Sequence, residues 1–118
     1  MVDEGEQARD GGRRHIERFR APAAIRGELT EVIMRAGSLV WTRPGLSPAQ
    51  RSLATISVLV ARGATEPLRE HIELGLANGL TETEITEAIL HCGFYAGFPC
   101  TVVAMEVAAE VFDGPAAR

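Results

Sequence analysis

Apolar residues recur every three or four positions along most of the chain, and Gly and Pro divide that recurrence into five segments. This spacing places apolar side chains on one face of a helix. Ile25, Leu29, Ile33, Ala36 and Val40 predict a first helix from about Pro22 to Val40. The segment Trp41-Thr42-Arg43-Pro44-Gly45-Leu46 ends it, since Pro and Gly together favour a turn. A second helix is predicted from Ser47 as N-cap, with Pro48 at the first helical position and Gln50 closing a capping box. It should reach about Arg62, where Gly63 supplies the left-handed residue. Its centre, Leu53 to Ala61, is apolar nearly all round, and such a helix needs enclosure on most sides.

Thr65 is the expected cap of a third helix, which ends at Asn78-Gly79 and carries Leu68, Ile72, Leu74 (or Gly75) and Leu76. Thr81 and Glu84 have the T-x-x-E spacing of a capping box for a fourth helix. Ile85, Ala88, Ile89 and Cys92 form its inner face, and it stops near Tyr95-Ala96-Gly97-Phe98-Pro99. The fifth should begin at Pro99, carry Val103, Val107, Ala108, Val111 and Phe112, and end at Gly114-Pro115. No segment alternates with the period of two that marks a half-buried strand. The expected fold is all-α, a compact bundle of about five helices spanning residues 21–114. Residues 1–20, charged and small, read as a mobile tail.

Composition narrows the function. The chain has 118 residues, one domain's worth, of which 46% are hydrophobic and 24% charged. The polar start concentrates the apolar share in residues 47–112, and a short chain with surplus apolar surface hides it against copies of itself. Net charge is -4 and no Lys or Arg stripe exists, which argues against nucleic-acid binding. No apolar run approaches a membrane span, and Met1-Val2-Asp3-Glu4-Gly5 does not open a signal peptide. Cys92 and Cys100 are too few for a secreted disulfide scaffold, so the cytoplasm is the expected compartment.

Several segments, in order, resemble the carboxymuconolactone decarboxylase family. Trp41-Thr42-Arg43-Pro44-Gly45-Leu46 is similar to its W-S/T-R-P-G-L turn, and Arg51-Ser52-Leu53-Ala54-Thr55-Ile56 to its R-S-L-x-T-I helix start. His71 followed by Gly75-Leu76-Ala77-Asn78-Gly79 resembles H-x3-A/G-L-x-N-G. Glu84-Ile85-Thr86-Glu87 and Tyr95-Ala96-Gly97-Phe98-Pro99 resemble E-I-x-E and Y-x-G-x-P. The resemblance covers about residues 29–112. It implies an alkylhydroperoxidase D-like helical fold, assembly into trimers or hexamers, and decarboxylation of 4-carboxymuconolactone or a related small carboxylated ring, in aromatic catabolism or natural-product biosynthesis. It implies no cofactor and no metal. The redox branch of the superfamily carries C-x-x-C-x3-H, and its two Cys positions are Ala64 and Pro67 here. Cys92 and Cys100 lie eight apart across a Gly-Pro break, so a dithiol peroxidase is disfavoured. The chain also has Cys100 after the Pro, where Ala is usual, and a short polar segment ahead of the Trp turn.

The implied reaction needs an anchor for carboxylates, a donor near a developing oxyanion, and an acid that protonates carbon. With the resemblance, His71 is the candidate acid or oxyanion donor, since imidazole titrates near neutral pH. The plain alternative is a His bonded to a neighbouring helix. Arg43 and Arg51 are the candidate substrate anchors, because a guanidinium holds a carboxylate through two parallel bonds. Arg51 lies in the first turn of a helix, where positive charge opposes the dipole, so it needs an anionic partner: a substrate, or Glu84 or Glu87 of a neighbouring subunit. Glu84 is explained by its cap, whereas Glu87 could orient His71 or pair with an Arg. Tyr95 could reach a pocket or serve as a buried phenol, and Trp41 could wall the pocket or fill a core or interface. His91 and Tyr95 have the i,i+4 spacing to line one site. His15 is assigned no role, and three scattered His make no metal cluster. The rival to a lyase is a non-catalytic oligomer that binds a small ligand or a partner.

Overall fold

The computed structural model describes residues 20–115. The expected tail, His15 included, lies outside the described residues apart from Arg20. Among the described residues there are five α-helices and no strand: α1 (Arg26–Trp41), α2 (Pro48–Arg62), α3 (Thr65–Ala77), α4 (Glu82–Ala96) and α5 (Phe98–Asp113). The protein is all-α. The described residues divide into two compact units, the first ending at Pro48 and the second beginning at Ala49.

In the first unit α1 starts later than the sequence pattern predicts. The amide N–H groups of Ile25 and Arg26 both donate to the Pro22 carbonyl, which closes a turn over 22–25. Ile25 has φ -129 and ψ -7, outside helical values. The Arg26 guanidinium fastens that turn by donating to the Ala21 carbonyl from Nε and Nη2, at 3.0 and 2.8 Å. At the other end the Thr42 hydroxyl and amide both donate to the Ser38 carbonyl. No residue of α1 is buried, and Ile25, Leu29, Val32, Ile33, Leu39 and Val40 are all exposed.

The second unit holds the core: Ile56 and Val60 of α2, Leu68 and Ile72 of α3, Leu80, Ile85 and Ile89 of α4 and its approach, and Ala104, Val107 and Ala108 of α5. α5 packs most extensively on α4 and then on α3. Small residues permit the close approaches. A Cβ on Gly75 would stand 3.1 Å from Leu80 Cδ1 and 3.2 Å from Ile56 Cδ1, and one on Gly93 would stand 2.7 Å from the Phe98 ring. Polar ties also cross the helices. The buried Thr101 hydroxyl donates to the Ile89 carbonyl at 2.8 Å, joining α5 to α4. Arg69 of α3 pairs with Glu110 of α5, and that hydrogen bond holds its guanidinium above the ordinary arginine pKa.

The helix punctuation follows the residues that demand it. Gly63, Gly79 and Gly97 take φ of +67, +102 and +98, values that side chains with a Cβ rarely adopt. Thr81 and Glu84 form the reciprocal capping box: the Glu84 amide donates to Thr81 Oγ1 at 3.0 Å, and the Thr81 amide to Glu84 Oε1 at 2.9 Å.

Three further expectations need correction. Thr65 is the first helical residue of α3, not its cap. The Leu68 amide donates to the Ala64 carbonyl at 2.9 Å, which makes Ala64 the N-cap, with no side-chain cap bond. α5 starts at Phe98, with Gly97 as N-cap and Pro99 inside the first turn. Val103, expected inside, is 43% exposed, while Thr101 and Ala104 take the buried positions beside it. Within the single chain α2 buries Ser52, Ile56 and Val60 and packs Leu53 and Leu59 against the core, while Val58 is 56% exposed.

Candidate active site

Within the second unit, α2 and α3 carry the two strongest candidates. Arg51 sits in the first turn of α2, half-buried, between exposed Gln50 and fully buried Ser52. The Thr55 hydroxyl donates to the Arg51 carbonyl at 2.9 Å. His71 is half-buried on α3, one turn from both Leu68 and Gly75, and Gly75 faces Ser52 and Ile56 of α2. His71 therefore flanks the seam along which α3 meets α2. Nε of Arg51 and Nδ1 of His71 are shielded from solvent and make no hydrogen bond among the described residues, although both side chains are engaged in other interactions.

A further tie fixes this region. The Asn78 carboxamide donates from Nδ2 to the fully buried Ser52 Oγ at 2.9 Å. It joins the end of α3 to α2 immediately beside Arg51. Neither Ser52 nor Asn78 stood out as functional from the sequence. The available signal was a lone hydroxyl on the buried stripe of α2 and a carboxamide just before a turn glycine.

The α4 candidates are exposed on the unit's surface. Glu87, His91 and Tyr95 recur at four-residue spacing on one exposed line of α4. His91 and Tyr95 are in ring contact, with centroids 5.2 Å apart and planes tilted by 41°. Glu84 is occupied by its cap. Arg43 and Trp41 belong to the first unit: Trp41 is the half-buried last residue of α1, and Arg43 is exposed in the turn after it, its amide donating to the Val40 carbonyl at 3.2 Å. The thiols of Cys92 and Cys100 are free and half-buried. Each lies 3.9 Å from a carbonyl of α2, those of Ser57 and Ala61 respectively. Among the described residues no group of three or more His, Cys, Asp or Glu is placed to hold a metal, and no helix is long and apolar enough to cross a membrane.

Arg51 and His71 thus stand on consecutive helices of an all-helical protein, and positions 64 and 67 carry Ala and Pro rather than a dithiol. The family model for the carboxymuconolactone decarboxylase family matches residues 27–110, most of the chain. This chain belongs to that family. It is 51% identical over 73 residues to a 4-carboxymuconolactone decarboxylase of Acinetobacter baylyi, a match covering 62% of this chain and 54% of that protein. It is 40% identical over 78 residues to a nitrosuccinic acid decarboxylase of Metarhizium robertsii, covering 66% and 54%. A 15.0 kDa protein of Paracoccus denitrificans is 36% identical over 74 residues, covering 61% and 55%. The chain thus spans about half the length of the curated relatives it matches.

Proposed function

We propose that this chain is a cofactor-free carboxy-lyase acting on a small carboxylated lactone or a related compound, in aromatic catabolism or natural-product biosynthesis. One observation carries the reading. Two relatives, at 51% and 40% identity, bear names that differ in substrate and agree in reaction, and the reaction is decarboxylation. Both named substrates place a carboxylate where the electrons left by carbon dioxide can flow into an adjacent sink.

The roles follow from that chemistry. In 4-carboxymuconolactone the departing carboxylate sits on a carbon conjugated through a double bond to the lactone carbonyl. Loss of carbon dioxide sends an electron pair onto that carbonyl oxygen, and a proton must then be added to carbon. Arg51 anchors a carboxylate through its guanidinium, and His71 donates to the oxyanion or delivers the proton. Tyr95 assists as a second donor, and Glu87 orients a cationic or imidazole partner. Arg43 and Trp41 are substrate-binding candidates on the strength of the turn's resemblance alone. The protein would work as a homo-oligomer, trimer or hexamer, in the cytoplasm.

The test is a spectrophotometric assay with 4-carboxymuconolactone generated in situ, comparing wild type with His71→Ala. Loss of a positioned acid or oxyanion donor lowers kcat by about 10²–10⁴-fold. Turnover that survives the substitution removes His71 from the mechanism. A wild type without turnover, yet stabilised against heat by carboxylated lactones, would favour the ligand-binding rival.

A further inference from the structure

Arg51 and His71 stand on two helices that are joined at one end and open at the other. α2 and α3 connect through Gly63 and Ala64, where the Gly63 amide donates to the Val60 carbonyl and the Ala64 amide to the Leu59 carbonyl, both at 3.1 Å. Arg51 lies at the open end, in the first turn of α2. Amides in the first turn of a helix and carbonyls in the last have no partner within it, so such ends fray unless something ties them. The positive charge of Arg51 also opposes the dipole at that end. Its guanidinium is held only as firmly as the turn that carries it.

Asn78 and Ser52 tie that end. Asn78 is itself fixed by the way α3 stops. The Leu80 amide donates to the Gly75 carbonyl at 2.9 Å and the Gly79 amide to the Leu76 carbonyl at 3.1 Å, with Gly79 at φ +102, the paired bonds of a Schellman ending. Leu80 packs over Gly75, where a Cβ would stand 3.1 Å from Leu80 Cδ1. From this closed turn the Asn78 carboxamide reaches the fully buried Ser52 hydroxyl at 2.9 Å. The same Cβ on Gly75 would lie 3.7 Å from Ser52 Cβ, so the two helices touch where the bond forms. Ser52 follows Arg51 directly, and His71 stands one turn before Gly75, about 6 Å along α3. The bond therefore fixes the register of the two helices between the two candidates. Nε of Arg51 and Nδ1 of His71 are shielded from solvent, so neither side chain swings at the surface and each follows its own backbone.

We infer that Asn78 and Ser52 are positioning residues of the active site: their hydrogen bond holds the Arg51 guanidinium in its working place relative to His71. The roles of Arg51 and His71 rest on the function proposed above. An anchored carboxylate is useful only where the reacting carbon then meets the acid, and a misplacement of about 1 Å can cost about 10²-fold in rate. Loss of the tie frees the first turn of α2, while α3, closed by its own turn, keeps His71 in place. Substrate anchoring therefore suffers first, and it suffers through Arg51. The Ser52 hydroxyl, fully buried, touches no substrate itself.

Ser52→Ala and Asn78→Ala in the full chain test the tie, with Thr101→Val as control. The control removes another buried hydroxyl that joins two helices, α5 to α4. All are compared at a temperature where circular dichroism shows them folded, and Ser52→Ala, the milder change, decides if Asn78→Ala fails to fold. The first readout needs no turnover. It is exchange of the Arg51 Nε–H with water, followed by heteronuclear magnetic resonance and assigned by its loss in Arg51→Lys. The wild-type signal should be protected, exchange should be about tenfold faster or more in both tie variants, and Thr101→Val should match the wild type. The second readout is decarboxylation of 4-carboxymuconolactone. Ser52→Ala should raise KM about tenfold and leave kcat within about threefold, and Thr101→Val should leave both within about threefold. Added to Arg51→Ala, Ser52→Ala should change KM by less than about twofold, because it acts through Arg51. Unchanged Nε–H exchange in the tie variants overturns the inference. So does an unchanged KM, a KM loss that persists in full on the Arg51→Ala background, or an equal loss in Thr101→Val. A wild type without turnover, whose Arg51 Nε–H still exchanges faster in the tie variants, refutes the catalytic reading and leaves the positioning of Arg51 intact.

Discussion

Asn78→Ala should destabilise the protein more than Ser52→Ala, although the two residues share one hydrogen bond. Asn78 Nδ2 donates to Ser52 Oγ at 2.9 Å, Ser52 is fully buried, and Asn78 is half-buried at the end of α3. Removing the carboxamide loses a net bond of about 1 kcal/mol and strands a hydroxyl that water cannot reach, which costs about 1–3 kcal/mol. The expected total is about 2–4 kcal/mol. Removing the hydroxyl takes the buried polar atom away with the bond. The carboxamide left behind can turn to water, and Ala suits the interior of α2 better than Ser, by up to about 0.5 kcal/mol. The expected cost is about 0.5–1 kcal/mol. In the double variant nothing buried is left unsatisfied, so its cost should stay near that of Ser52→Ala, giving a coupling of about 1.5 kcal/mol or more. Urea unfolding followed by circular dichroism at one fixed protein concentration measures all four corners, the fixed concentration removing any effect of assembly. Ser52→Ala costing more than Asn78→Ala, or losses that add within about 0.3 kcal/mol, would refute the reasoning.

Other consequences are equally specific. Gly97→Ala forces a Cβ into φ +98 and ψ 141, and should cost about 1–3 kcal/mol in urea unfolding even though the nearest atom to that Cβ is 3.8 Å away. Thr81→Ala removes one half of the capping box and should cost about 1 kcal/mol, with Glu84→Ala close to it and the pair less than additive. Ile89→Ala, at a fully buried position, should cost about 2–5 kcal/mol by lost transfer energy and the cavity left behind. In the decarboxylation assay Arg51→Ala should raise KM roughly 10- to 150-fold, the equivalent of about 1.5–3 kcal/mol for bonds to a charged group. Arg51→Lys should recover only part of that, because an ammonium cannot form the paired bonds of a guanidinium.

Helix identity and most helix ends were legible because single residues dictate them. Gly63, Gly79 and Gly97 sit where positive φ is required, and Thr81 with Glu84 states its cap in the spacing alone. What the pattern could not tell was which face would find a neighbour. Val103 and Ala104 are both apolar, and packing on α4, through Thr101 and the Ile89 carbonyl, buries one and exposes the other. Thr65 has the right chemistry for a cap, but the chain leaving Gly63 brings the Ala64 carbonyl to the Leu68 amide. Gly75 and Gly93 lack the side chains that periodicity counts, yet they are where helices approach most closely. Of the candidate site, the family motifs picked out Arg51 and His71, and the structure sets both on the α2–α3 pair. The exposure of Phe94, Tyr95 and Phe98 was not readable, since an aromatic at a helix bend looks the same in sequence whether or not a core covers it.

The most direct measurement follows decarboxylation of 4-carboxymuconolactone by nuclear magnetic resonance in deuterium oxide, using protein dialysed against a chelator. A positioned acid delivers its proton to one face of the planar intermediate. The account predicts turnover with a single deuterium in one configuration at the carbon next to the lactone carbonyl. It also predicts that His71→Ala is slow, and that whatever product it forms carries deuterium in both configurations. No turnover by the wild type, or a wild-type product with deuterium in both configurations, would contradict it.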